Sequence, residues 1–174
     1  MNFKLRMKKM TNTNQLIITR EFEAPVELLW EVHSKPEHIE RWFGPAEMYT
    51  NVLDMDFRPG GSLFYSIGNE QGKMFGLVKY TEIQQPSKMI YINSFADENR
   101  NIIRHPMSDT WPLEVHNTLV FEALGNKSKL IVTSVPIKAS EEEIDTYRNS
   151  HGMVEQGMGG MFKQLDDYLE TVTS

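Results

Sequence analysis

The order of patterns along these 174 residues predicts an α+β domain. Its expected form is a curved antiparallel sheet of about six or seven strands wrapped on a long C-terminal helix, with two short helices after the first strand. Three observations carry this. One β-patterned segment precedes two stretches of helical spacing, the middle of the chain alternates between turn signals, and the last segment holds a long apolar stripe. Strand, helix, helix, strands, helix is an α+β order. Short hairpins between the strands make antiparallel pairing the simplest solution.

The first strand is Leu16-Ile17-Ile18-Thr19-Arg20-Glu21-Phe22, rich in branched residues. Pro25 is expected at the first position of a helix, where its missing N–H costs nothing. Val26, Leu29, Trp30 and Val32 or His33 then recur at helical spacing, and Pro36 favours a second short helix over Pro36–Phe43. Strands are predicted near 50–57, 62–68, 74–83, 88–95, 115–123 and 128–135. The breaks carry turn chemistry: Pro59-Gly60-Gly61, Gly68-Asn69 with Gln71-Gly72, Gln85-Pro86 and Gly125-Asn126. Strand 74–83 has ambiguous parity, Val78 and Tyr80 against Leu77 and Ile83, as a bulge would produce. Ala96–Leu113 is the longest irregular stretch and carries Ile102, Ile103, Met107 and Trp111. It reads as a flap near the mouth of any cavity.

The last helix has the clearest local signal. Ser140-Glu141-Glu142-Glu143 is a capping box, and its acids suit the helix dipole. Ile144, Tyr147, His151, Val154, Met158, Met161, Leu165, Tyr168 and Val172 form one continuous stripe at spacings of three and four. Gly152, Gly157, Gly159 and Gly160 interrupt it, each at about 0.8–1 kcal/mol against alanine. Close approach of a neighbouring element, or a bend over a cavity, is the expected offset.

Composition narrows the function classes. Net charge is −6. Residues 140–174 hold eight acids and two bases, which accounts for all of it. A phosphate backbone would be repelled, so nucleic acid is not an expected partner. There is no apolar run long enough to span a membrane. The chain has no cysteine, which removes disulfides and thiolate chemistry and fits a reducing, cytoplasmic setting. Residues 1–15 are basic at the start, lack the apolar core of a secretory signal, and are expected to be a disordered tail, with Met7 or Met10 as alternative starts. The domain is expected over 16–172.

Period-two alternation puts Leu63, Tyr65 and Ile67 on one face. It does the same for Met89, Tyr91, Asn93 and Phe95, and for Val115, Asn117, Leu119 and Phe121. A plain core explains many of these. Polar groups inside the rows, Asn93, Asn117 and the tyrosine hydroxyls, would orient a guest if the face borders a gap. The histidines give no metal-ligand spacing with a third partner. His151 on the stripe reads as a buried, hydrogen-bonded residue. Asp54 and Asp56 share a strand face but lack a third ligand, so no metal and no cofactor are expected. No nucleophile or phosphate-loop motif is present.

Two runs, Arg41-Trp42-Phe43-Gly44-Pro45 and Asp56-Phe57-Arg58-Pro59-Gly60-Gly61, anchor a resemblance. It continues through Ala24-Pro25-Val26-Glu27-Leu28-Leu29-Trp30, Asn93-Ser94-Phe95-Ala96-Asp97-Glu98-Asn99, Arg104-His105-Pro106-Met107 and Trp111-Pro112-Leu113-Glu114. It ends at Gln164-Leu165 with Tyr168-Leu169. In this order the words resemble standalone domains similar to the C-terminal domain of the heat-shock-protein-90 ATPase activator, within the START-like, helix-grip superfamily. The resemblance implies a helix-grip fold with a cavity between sheet and C-terminal helix. Relatives commonly place a Trp after the pair matching Gln156-Gly157, where this chain has Met158.

Joined to strand parity, that fold implies a ligand-contacting set: Trp42, Phe43, Leu63, Tyr65, Tyr91, Asn93, Phe95, Trp111, Asn117, Met158 and Phe162. The expected function is binding of a small hydrophobic molecule, lipid-like or aromatic, by a monomer or homodimer. The resemblance implies two alternatives. One is a chaperone partner with an ATPase-activator-like role in stress response. The other is a cyclase- or dehydratase-like enzyme using the same cavity, with Arg104, His105, Asp109 and Glu114 as candidate groups. The first reading assigns no catalytic residue.

Overall fold

Seven antiparallel strands form one sheet in the order β1-β7-β6-β5-β4-β3-β2. The structure, a computed structural model, describes residues 14–173. Its elements are β1 (Leu16–Phe22), α1 (Val26–Ser34), α2 (Pro36–Trp42), β2 (Tyr49–Met55), β3 (Ser62–Asn69), β4 (Gly72–Gln84), β5 (Lys88–Ala96), β6 (Glu114–Leu124), β7 (Lys127–Ile137), α3 (Glu141–Asn149) and α4 (His151–Thr173). From β2 to β7 each strand pairs with the next through a hairpin or, between β5 and β6, the long connection. The first strand instead pairs with the last, Leu16 opposite Ser134 and Phe22 opposite Ser128.

The main core lies where α1, α4 and the β1–β7–β6 side of the sheet meet. Phe22, Leu29, Trp30, Val32, Phe121, Leu130, Leu165 and Leu169 are all buried there. Each such side chain contributes about 1.5–3 kcal/mol by leaving water. Edge-to-face ring contacts add direction: Phe22 with Phe162 at 5.7 Å and Trp30 with Phe121 at 5.1 Å. The C-terminal half of α4 is also tied by polar contacts. Arg20 meets Asp166 at 2.6 Å, Gln164 donates to the Gly44 carbonyl at 2.7 Å, and His38 Nδ1 meets the Tyr168 hydroxyl at 2.6 Å.

Several expectations change in detail. Pro25 is the residue before α1, extended at φ −63° and ψ 153°, and its carbonyl accepts from Leu28 and Leu29. The long helix is two helices. At Ser150 the N–H is shared between the Thr146 and Tyr147 carbonyls, and the Ser150 hydroxyl bonds back to Thr146. The Ser150 and Val154 N–H groups still bond four residues back, and the added serine back-bond is of the kind that bends a helix. The stripe also drifts: Phe162, Leu165 and Leu169 are buried, while Val172 is exposed. A pattern of period 3.5 rotates off a face built on 3.6 residues per turn.

The four glycines do not mark close packing. A Cβ added at Gly152, Gly157, Gly159 or Gly160 would meet nothing within 4 Å. Asp54 and Asp56 do not act together either. Asp56 lies past the end of β2. Asp54 pairs with Arg100 and Asp56 with Arg58. The tail expected over 1–15 lies outside the described residues except at its end, where Asn14 accepts from Arg148 at 2.7 Å.

Candidate functional site

Between the inner face of the sheet and the N-terminal part of α4 is a cavity of about 310 Å³. The strands supply its floor by parity. β3 presents Leu63 and Tyr65, β5 presents Met89, Tyr91, Asn93 and Phe95, and β6 presents Val115, Asn117 and Leu119. Trp42 and Phe43 close one side from the end of α2, Trp111 another from the β5–β6 connection, and Met158 and Phe162 form part of the roof. All eleven residues expected from the sequence therefore border one space. Among the described residues no Lys, Arg, Asp or Glu does so.

Four important lining residues were missed. Tyr80 was obscured by the register shift between Tyr80 and Glu82, the bulge suspected from parity, which lets Tyr80 and Ile83 both pack inward. Ser134 follows Leu130 and Val132 at period two and was legible there. Tyr147 was on the helical stripe, and His33 on the buried face of α1. Ile67 and Phe121, grouped with the rows, do not border the cavity. Phe121 instead packs against Trp30 and His33.

The polar groups fall into two sets. In the first, the Ser134 hydroxyl donates to Asn117 Oδ1 at 2.6 Å, and Asn117 Nδ2 donates to Asn93 Oδ1 at 2.7 Å and to the Val115 carbonyl at 3.0 Å. Each amide oxygen thereby accepts one protein hydrogen bond. The second set is Tyr65, Tyr80 and Tyr91. Tyr80 and Tyr91 are direct cross-strand partners with ring centroids 6.2 Å apart. Tyr65 lies across Gly76, its partner on β4, where any Cβ would overlap the ring and hydroxyl. Among the described residues none of these three hydroxyls has a hydrogen-bond partner. Burial pushes the Tyr65 phenol up to about 12 and raises those of Tyr80 and Tyr91 as well. All three stay neutral at physiological pH.

His33 borders the same region but is a wall residue. Its Nδ1 lies 2.7 Å from the Leu29 carbonyl, so Nδ1 carries the proton and Nε2 a lone pair. Nε2 is shut off from open space without a partner, and the ring packs on Trp42 at 4.7 Å and Phe121 at 5.1 Å. Burial lowers the His33 pKa to about 4.

The long connection after β5 is only partly a flap. Trp111 reaches the cavity, with His105 between it and Phe95. Ile102 instead bridges back to Ala96 and packs with Phe64 and Leu77 on the opposite face of the sheet. Met107 is exposed. The short bridge to Ala96 turns this part of the connection outward.

A family model described as Activator of Hsp90 ATPase homolog 1-like protein matches residues 23–170. The chain belongs to that family. Solved structures with the same fold include a solution structure of a protein from Staphylococcus epidermidis, 28% identical, covering 91% of each chain at a TM-score of 0.76. A second, from Arthrobacter aurescens, is 27% identical, covers 90% of this chain and 86% of its own, and has a TM-score of 0.76. Protein Ms6760 from Mycobacterium smegmatis is 26% identical over 91% of each chain, with a TM-score of 0.74. No curated protein matches the chain.

Within this Activator of Hsp90 ATPase homolog 1-like chain the enzyme candidates have separate partners. Arg104 pairs with Glu143, His105 Nδ1 accepts from the Met107 N–H at 2.9 Å, and Glu114 lies 3.9 Å from Lys138. None of these, nor Asp109, borders the cavity. No group of three or more metal-ligating side chains occurs among the described residues. None of their helices is long and apolar enough to cross a membrane. His151, expected to be hydrogen-bonded, has a buried Nε2 without a partner and an edge contact with Tyr147 at 5.1 Å.

Proposed function

We propose that this protein binds a small apolar molecule in the cavity between the sheet and α4. The observation that carries the reading is a lining of aromatic and aliphatic side chains with a few polar groups and no charge. That is the usual chemistry of a small-molecule site, and a volume of about 310 Å³ is at the small end of the range. Met158 and Met161 in the roof are flexible and polarizable, which suits a guest of variable shape.

The test is a panel of small aromatic and lipid-like molecules, followed by thermal denaturation and backbone chemical shifts. A binder present at a hundred times its dissociation constant stabilises by about 2.7 kcal/mol. In a chain of this size that raises the melting temperature by roughly 5–10 °C. Shifts should centre on Tyr91, Asn93, Asn117 and Met158. A panel that leaves both melting temperature and those shifts unmoved would overturn the reading.

The family description supports a second reading, contact with a heat-shock ATPase. Co-sedimentation or titration with the purified chaperone checks it, and absence of binding removes it.

A further inference from the structure

The free hydrogen-bond donors of the cavity are gathered on β3, β4 and β5. Asn117 Oδ1 and Asn93 Oδ1 already accept from protein donors. Among the described residues the free donors there include the O–H of Tyr65, Tyr80 and Tyr91 and the Nδ2 of Asn93, two residues from Tyr91 on the same face of β5. The lone pair of His33 Nε2 has no access to the space. The sheet is also shaped to bring one of these donors inward. Gly76 has no side chain where the Tyr65 ring and hydroxyl lie, and any larger residue would displace them.

We propose that Tyr65, Tyr80 and Tyr91, with Asn93 beside them, form a donor cluster that holds the carbonyl oxygen of an uncharged apolar ligand: a ketone, aldehyde, ester or lactone. A carbonyl oxygen has two lone pairs and no proton of its own, so it can accept from two of these free donors at once. A carboxylate does not match, because no cation among the described residues borders the cavity and a buried unpaired charge is strongly disfavoured. A pure hydrocarbon would leave the hydroxyls without partners, each at a penalty. Burial keeps the phenols protonated, so they donate throughout the neutral pH range.

This inference rests on the cavity being a ligand site, and three matched probes separate the two ideas. Benzophenone has two rings and a carbonyl, diphenylmethane the same rings without it, and diphenylacetate a carboxylate. Titration by calorimetry or chemical shift should show benzophenone binding about 10-fold tighter than diphenylmethane, and diphenylacetate weakest. Tyr65→Phe, Tyr80→Phe and Tyr91→Phe keep ring volume and remove one hydroxyl. Each should weaken benzophenone about 3-fold or more without weakening diphenylmethane. The carbonyl stretch of bound benzophenone should lie below its value in hydrocarbon solvent and move back in the Phe variants. Equal affinity for benzophenone and diphenylmethane overturns the donor cluster and leaves the cavity reading intact. Tightest binding by diphenylacetate overturns the uncharged class. Failure of all three probes to bind overturns both ideas.

Discussion

His33 shows how one side chain can set a pH dependence. Its imidazole is neutral and enclosed by Trp42 and Phe121, with the folded pKa lowered to about 4 from an ordinary 6.5. The unfolded chain therefore binds the proton more readily. Stability is fully present above about pH 6.5 and falls as pH drops toward 4, with a limiting loss of about 3 kcal/mol. Below pH 4 this residue adds no further loss. Denaturant melts of the natural chain and of His33→Gln, compared from pH 4 to 7, should differ in slope within that window alone. Parallel curves would show that His33 is not the group responsible. Nothing in the sequence beyond helical spacing marked this residue. The carbonyl one turn earlier fixes its tautomer, and only three-dimensional packing shows the rings around it.

Among the elements, α4 is the least uniform. From Phe162 onward it is held by core packing and by Arg20, Gln164 and Tyr168. Its N-terminal part carries four glycines that touch nothing on the side where a Cβ would stand. Their replacement by alanine fills no occupied space and reduces the freedom of the unfolded chain. Each substitution should stabilise by about 0.4–1 kcal/mol, and the fourfold variant should melt several degrees higher. A lower melting temperature would mean that the glycines serve the folded state in a way their surroundings do not reveal. The sequence made α3 and α4 plain together, because a capping box at the start of α3 and a long stripe through both are local patterns. Both halves of the box form, Glu143 N–H to Ser140 Oγ and Ser140 N–H to Glu143. The break at Ser150 was not legible, since serine is common within helices and the competing bond to Thr146 is a choice of geometry. Tyr80 was missed for a related reason: a bulge shifts the inward parity of every residue beyond it.

In the molecule as a whole, the sheet grips α4 tightly at one end and stands away from it at the other. Leu165 and Leu169 are buried, whereas Val154, Met158 and Met161 face the cavity. Amide exchange should reflect this difference. Residues 152–161 should exchange through local opening, and 162–169 only through global unfolding. A bound guest should slow exchange in the first group specifically. Uniform protection along the helix would contradict the unequal grip. The architecture itself was readable because alternation, turn residues and helical spacing are all short-range. The division of the β5–β6 connection between the two faces of the sheet was not, since Ile102 and Trp111 look alike as apolar loop residues. The pairing of β1 has one further consequence, for the order of assembly. On a ribosome β1 emerges first, yet its hydrogen-bonding neighbour β7 is translated more than a hundred residues later, on the order of ten seconds at ordinary elongation speed. Through that interval Ile17 and Ile18 form a naked, branched edge, so a nascent chain stalled before β7 is the species most exposed to wrong strand partners.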